Sequence, residues 1–280
     1  MKPFTAHNIT ASYGDRTVIR DISFQASPGS ITGIAGPNGS GKSTLIRSLC
    51  NLIPHQGFCG FEERFEQLSE RQLARLCSYL PQKSGLSLNI SVLDAVQMAH
   101  NPMLGMFSQP TDKMRQDTLK AIESVGLKGK EHISFLELSG GERRLCLLAR
   151  ALVPDTPLLI MDEPENSLDP SFRIRIMETV RNRVNGSRKT AVISLHDMNL
   201  ALNYCDRILL LKEGRLLSVL EPQHENECEI ERKLSGLFGE VWVKQFPTED
   251  GSKQLVMLSK HPAQEVFVFN EALNKNHDPE

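Results

Sequence analysis

The run Gly36-Pro37-Asn38-Gly39-Ser40-Gly41-Lys42-Ser43, continued by Thr44, has the spacing G-x-x-x-x-G-K-[ST]. Each residue type in it suits the holding of a polyphosphate. Glycines at 36, 39 and 41, with Asn38 and Ser40 between them, let the backbone wrap an anion so that its N–H groups converge. A helix opening at the end of the loop turns its positive dipole end to the same charge. Lys42 is then placed to reach the β- and γ-phosphates, and the Ser43 hydroxyl to take one position on Mg²⁺. A second group follows the apolar run Leu158–Met161, which ends in the adjacent carboxylates Asp162 and Glu163. Asp162 is expected to hold Mg²⁺ through water and Glu163 to polarise the attacking water, so the pair favours hydrolysis over binding alone. A third group, Leu138-Ser139-Gly140-Gly141-Glu142, opens another helix with small residues and makes a second anion-receptive terminus.

These groups need a scaffold that brings strand ends and helix starts together. From Phe4 to Gly36 the chain reads as short β-rich runs broken by turns, namely a stretch ending at Tyr13-Gly14-Asp15, then Val18–Phe24, then Ser30–Gly36. An apolar set at helical spacing between Leu45 and Asn51 gives strand, loop and helix around the glycine-rich turn. From about Leu86 to Val153 amphipathic helical segments take over, at Val92–Ala99, Lys113–Val125 and Glu142–Val153. They are read as an inserted helical subdomain. Strand and helix then alternate through Leu158–Met161, Phe172–Val184, Thr190–Leu195 and Met198–Cys205, a pattern made by buried parallel strands with crossover helices. A hairpin is expected at Ile208–Leu211 and Arg215–Val219. After Glu221-Pro222 come a charged run, a short helix to Phe238 that takes in Leu234-Ser235-Gly236 as its end, and two strand-like runs, Val241–Phe246 and Gln254–Leu258, around Asp250-Gly251. The remainder to Glu280 is expected to fray.

Composition removes several classes. The 280 residues carry 32 basic and 34 acidic side chains, a formal charge of −2, which leaves no broad electrostatic footprint for nucleic acid. No apolar run approaches the roughly 18–20 residues that span a bilayer, and Met1–Thr5 opens no secretory leader, so the chain is expected to stay in the cytosol. Six cysteines lie scattered at 50, 59, 77, 146, 205 and 228 without a C-x-x-C pair, and the eight histidines form no ligand pattern. Reduced, mostly buried thiols and no protein-held transition metal are the expectation.

The two anion-receptive termini in one chain resemble the ATP-binding cassette (ABC) ATPases, whose signature motif is LSGGQ or LSGGE. In that family the signature of one subunit closes on phosphates held by the other, so two ATP molecules lie in a head-to-tail dimer. The resemblance spans roughly residues 4–220. It implies a P-loop NTPase core of ABC type, α/β in class, with an N-terminal antiparallel β subdomain, the helical subdomain at about 86–153 and a small C-terminal extension over 221–280. It also implies roles. Tyr13 stacks on adenine, Gln82 senses Mg²⁺ and the γ-phosphate, Ser139, Gly140 and Gly141 contact the partner's nucleotide, Ser167-Leu168-Asp169 crosses the dimer interface, and His196 contacts the γ-phosphate and holds the attacking water.

With no membrane segment in the chain, transport requires separate permease subunits, and the expected location is peripheral on the inner face of the cell membrane. Ser91–Pro102 followed by Leu104-Gly105 is similar to a stretch of ATPases serving iron-siderophore, haem and cobalamin importers, as is the tail from Leu237-Phe238-Gly239. The segment from Gln82 to Met106 is expected to receive a permease coupling helix. Ala99-His100 stands where that group has Gly-Arg, and Glu165-Asn166 where Thr-Ser is common. The alternative is a soluble cassette ATPase outside transport, such as one for iron–sulfur cluster assembly.

Overall fold

Phe4, Ala6, Ile9 and Ala11 point inward along the first strand, β1 (Phe4–Tyr13), with a break in the alternation at Asn8, whose φ is 52°. The computed structural model describes residues 2–82, 89–104, 108–187, 189–248 and 253–259. Gly14 and Asp15 turn the chain into β2 (Arg16–Ala26), antiparallel to β1. The chain then enters β3 (Ile31–Ala35), whose five residues are all buried, and α1 (Lys42–Leu49). A fourth strand, β4 (Gln56–Gly60), pairs with the other edge of β1 and completes a three-stranded antiparallel sheet, β2-β1-β4.

Helix α2 (Glu70–Leu76) leads into β5 (Cys77–Leu80). Three helices follow, α3 (Val92–Gln97), α4 (Asp112–Ser124) and α5 (Gly140–Leu152). The alternating part runs β6 (Leu158–Asp162), α6 (Pro170–Ser187), β7 (Thr190–Ser194), α7 (Met198–Tyr204), β8 (Arg207–Lys212) and β9 (Arg215–Leu220). The tail holds α8 (Glu227–Phe238) and a hairpin, β10 (Val241–Pro247) with β11 (Lys253–Ser259). Leu234-Ser235-Gly236 falls at the end of α8.

Six strands form the central sheet in the order β5-β6-β7-β3-β8-β9, parallel except for β9. Because β3, β6 and β7 are buried on both faces, their side chains feed two cores. Leu159, Met161, Ala191 and Ile193 face the helical insert and α6–α8, whereas Leu158, Ile160, Val192 and Ile34 face α1 and the antiparallel sheet. The insert joins the first core through Val92, Val96, Ile122, Leu145 and Leu148. The tail joins it too. Ile230 and Leu234 of α8 are fully buried, and Asn203 of α7 exchanges hydrogen bonds with the Leu255 backbone at 2.8 and 2.9 Å.

Sequence reading passes over β4, α2 and β5. β5 has only four residues, Cys-Ser-Tyr-Leu, too few to display a period, although α2 carries a readable start in the capping box of Ser69 and Gln72. The helix expected over Val92–Ala99 is α-helical only to Gln97. A 3₁₀ turn, Met98–Met103, then bends toward Pro102. Residues 86–88, Gly105, Met106, Asp250, Gly251 and the tail from 260 lie outside the described residues.

Candidate functional site

The carboxyl ends of β3, β5, β6 and β7 lie side by side, where an open α/β sheet offers its ligand crevice. The phosphate loop leaves β3 under two steric demands. A Cβ on Gly36 would stand 2.2 Å from the Leu211 carbonyl oxygen, and Gly41, the N-cap of α1, has a φ of 101° with Ile19 2.6 Å from where its Cβ would be. Lys42 and Ser43 therefore begin α1 inside the loop. Lys42 is 5% exposed, donates to the Gly36 carbonyl at 2.9 Å and lies 3.6 Å from Glu163 Oε1. Asn38 and Gly39 are exposed, Ser40 is buried, and Thr44 is buried within the first turn of α1.

Beside that turn, the Ser43 hydroxyl donates to Asp162 Oδ1 at 3.0 Å, and the Ser194 hydroxyl donates to the same oxygen at 2.7 Å. Glu163 turns sharply away from β6 with φ 42°, a left-handed conformation costing about 1–3 kcal/mol in a residue that is not glycine. The turn is held from both sides. Its N–H donates to Ser194 Oγ at 2.9 Å, and its carbonyl accepts from Arg144 at 3.1 Å. The Glu163 carboxylate is clasped as well, since Oε2 accepts from Gln82 Nε2 at 2.6 Å and from Asn166 Nδ2 at 3.2 Å. Gln82 thus bridges from the end of β5 to the end of β6.

Arg144, in the second turn of α5, is buried and spends all five N–H donors on main-chain oxygens. Its partners are the carbonyls of Pro81 and Gln82 beyond β5 and of Asp162, Glu163 and Pro164 at the end of β6, at 2.6–3.2 Å. Burial pulls its guanidinium below its usual pKa, an effect opposed by Glu165 and Asp162. Glu165 is 2% exposed, and Oε1 accepts from the backbone N–H of His196 at 2.6 Å. Burial pushes its carboxyl pKa up. His196 itself follows β7 and is exposed.

The signature lies apart from this cluster. Ser139 caps α5, with its side chain accepting from the Glu142 N–H, and Glu142 answers with bonds to Ser139 N and Oγ. Lys130 and those bonds hold the Glu142 carboxyl at a pKa of about 2. Ser139 and Gly140 are exposed and Gly141 is partly so. Tyr13 is exposed at the end of β1, and Ser167, with φ 60°, sits exposed in the loop before α6. Sequence reading missed Arg144, Ser194, Glu165 and Asn166 as members of this network. Ser194, one residue before the end of the expected strand over Thr190–Leu195, and Glu165-Asn166, which stand where Thr-Ser is common, carried a positional signal, whereas Arg144 carried none.

The donors around Ser43, Asp162 and Gln82 are hydroxyl, carboxylate and amide oxygens, the hard set that suits Mg²⁺. A phosphate loop, a following strand ending in two carboxylates and a helical insert whose capped tip stands clear define a nucleoside triphosphatase of cassette type. The ABC transporter family matches residues 19–166. The chain is 37% identical over 254 residues to a hemin import ATP-binding protein of Pseudomonas fluorescens, covering 86% of this chain and 95% of that one. Its fold is that of a metal-chelate type ABC transporter solved in an inward-facing conformation (TM-score 0.77, 23% identity, 93% and 99% of the two chains). It is also that of a dimeric bacterial ABC transporter cassette (TM-score 0.70, 23% identity, 78% and 98%). The chain belongs to the ABC transporter family, as one of its ATP-binding, ATP-hydrolysing subunits.

Proposed function

We propose that this chain powers an ABC importer of metal chelates, such as iron-siderophore, haem or cobalamin, working as a head-to-tail pair docked on separate transmembrane permease subunits at the inner face of the cell membrane. The observation that carries the reading is the convergence of Lys42, Ser43, Gln82, Asp162 and Glu163 on one crevice, in a chain whose relative imports hemin. Among the described residues no helix is long and apolar enough to cross a membrane, which fits a permease supplied by other chains.

In this reading Lys42 leaves its carbonyl partners to meet the β- and γ-phosphates, and the N–H groups of Gly39, Gly41 and Ser43 surround the same charge. Ser43, Gln82 and, through water, Asp162 would hold Mg²⁺, which neutralises phosphate charge when bound. Glu163 accepts a proton from the attacking water, and the clasp of Gln82 and Asn166 aims it. His196 orients that water from the other side, Tyr13 stacks on adenine, and Ser139 with Gly140 and Gly141 of a second copy completes the γ-phosphate shell. A groove of about 370 Å³ lined by Tyr79, Leu80, Pro81, Ala99, Pro102 and Met103 ends one residue before Gln82 and is the proposed seat of a permease coupling helix.

Affinity isolation of the chain from detergent-solubilised membranes of its host tests the proposal. It should bring down a polytopic permease, and an Ala99→Arg change in the groove should abolish that association. Recovery with soluble scaffold proteins alone would overturn the importer reading in favour of a cassette outside transport.

A further inference from the structure

We propose that His55, Cys59 and Glu66 form a site for one divalent metal ion of the zinc type, independent of the function proposed above. Their ligand atoms all lie within 4.8 Å of one another. The three residues come from the loop after α1, from β4 and from the 3₁₀ turn Phe65–Gln67, so no sequence spacing announces them. The His55 side chain is 1% exposed, Cys59 is fully buried, and Glu66 keeps a quarter of its side chain open to solvent as an access route.

The hydrogen bonds argue for a cation there. His55 Nδ1 stands 3.1 Å from the Ile53 carbonyl, and a carbonyl only accepts, so Nδ1 carries a proton and Nε2 is turned to Glu66 Oε1 at 3.0 Å. A backbone acceptor fixing the far nitrogen is the arrangement that orients metal-ligating imidazoles. Glu66 Oε1 also accepts from the Cys59 N–H at 2.9 Å, while Oε2 is buried with no hydrogen-bond partner. A plain imidazolium–carboxylate pair would account for Oε1 and leave Oε2 without a donor, a costly state for a buried oxygen. The Cys59 thiol donates to the Leu49 carbonyl at 3.5 Å, at the C-terminal, negative end of α1.

Binding a divalent ion M²⁺ there releases two protons to water, the thiol proton of Cys59 and the one held between His55 Nε2 and Glu66 Oε1 in the metal-free pair. The ion gains S⁻ from Cys59, a carboxylate oxygen from Glu66 and neutral Nε2 from His55, and charges of +2, −1 and −1 sum to zero in a buried place. The Leu49 carbonyl or a water entering past Glu66 fills a fourth position. Thiolate and imidazole select a borderline-soft ion and disfavour Mg²⁺, so the site does not compete with nucleotide chemistry.

The full-length chain, stripped with chelator, should bind one equivalent of Co²⁺ with a thiolate-to-cobalt charge-transfer band and the visible spectrum of a four-coordinate ion, and Zn²⁺ should displace it. Cys59→Ser should remove the charge-transfer band, and His55→Gln should weaken Co²⁺ binding by at least about 100-fold. Glu66→Gln serves in place of either variant that fails to fold by circular dichroism. Cys228→Ser, at an exposed thiol, should change nothing. No band at saturating Co²⁺, a band that survives Cys59→Ser, or one lost with Cys228→Ser would overturn the proposal.

Discussion

The phosphate crevice and the signature tip carry equally conspicuous residues, yet they are built in opposite ways. In the crevice Lys42, Asp162 and Glu163 are buried and bonded across four strand ends. At the tip Ser139 and Gly140 are exposed, and the bonds of Ser139 go to Glu142 of its own helix. One region is pre-organised by its own chain, and the other is an exposed helix start where the side-chain hydrogen bonds of Ser139, among the described residues, stay within its own first turn. Arg144 links the two, because it rides on the helix that Ser139 caps while gripping the backbone of Gln82 and Glu163. A shift of α5 on engagement with a second copy would be felt at Glu163.

The largest expected effect attacks the pre-organised side. Glu163→Gln keeps both hydrogen-bonded oxygen geometry and size but loses the base, so steady-state ATPase kcat should fall by about 10²–10⁴-fold while ATP still binds in calorimetry. Near-normal turnover would refute the assignment of Glu163 as base. Next comes the link. Arg144→Gln leaves several buried carbonyls unpaired at about 1–3 kcal/mol each, which should lower Tm by roughly 5–10 °C. Arg144→Lys, which retains charge but supplies only three donors, should lower kcat more than it changes the KM for ATP. Equal kcat in Arg144→Lys would reduce the side chain to packing.

The smallest effect concerns Glu165. Burial raises its folded pKa above the unfolded value, so the folded chain binds that proton more tightly and stability falls as pH rises through the raised pKa. Glu165→Gln still accepts from the His196 N–H and should raise Tm by about 2 °C near pH 8, a gain that closes as pH is lowered toward about 4.5. A gain that grows with acidification would contradict the sign.

The same contrast explains what could be read beforehand. Gly36–Thr44, Asp162-Glu163 and Ser139–Gly141 are contiguous, and their chemistry is local, so spacing alone exposes them. The alternation after Leu158 likewise follows from fully buried parallel strands. Arg144 reaches carbonyls 18 to 63 positions away, Ser194 meets Asp162 across a strand pair, and Glu165 matters because of where β7 ends. Those relations arise from sheet order, which residue patterns do not encode. β5 hid for a related reason, being a four-residue edge strand whose register is set by β6.

The central claim is that the crevice of one copy and the signature tip of another make one site. Sedimentation of Glu163→Gln with and without ATP tests it most directly, alone and combined with Ser139→Arg. A dimer that forms only with ATP and is lost on adding Ser139→Arg is the predicted result. A monomer at every ATP concentration, or a dimer indifferent to Ser139→Arg, would contradict it.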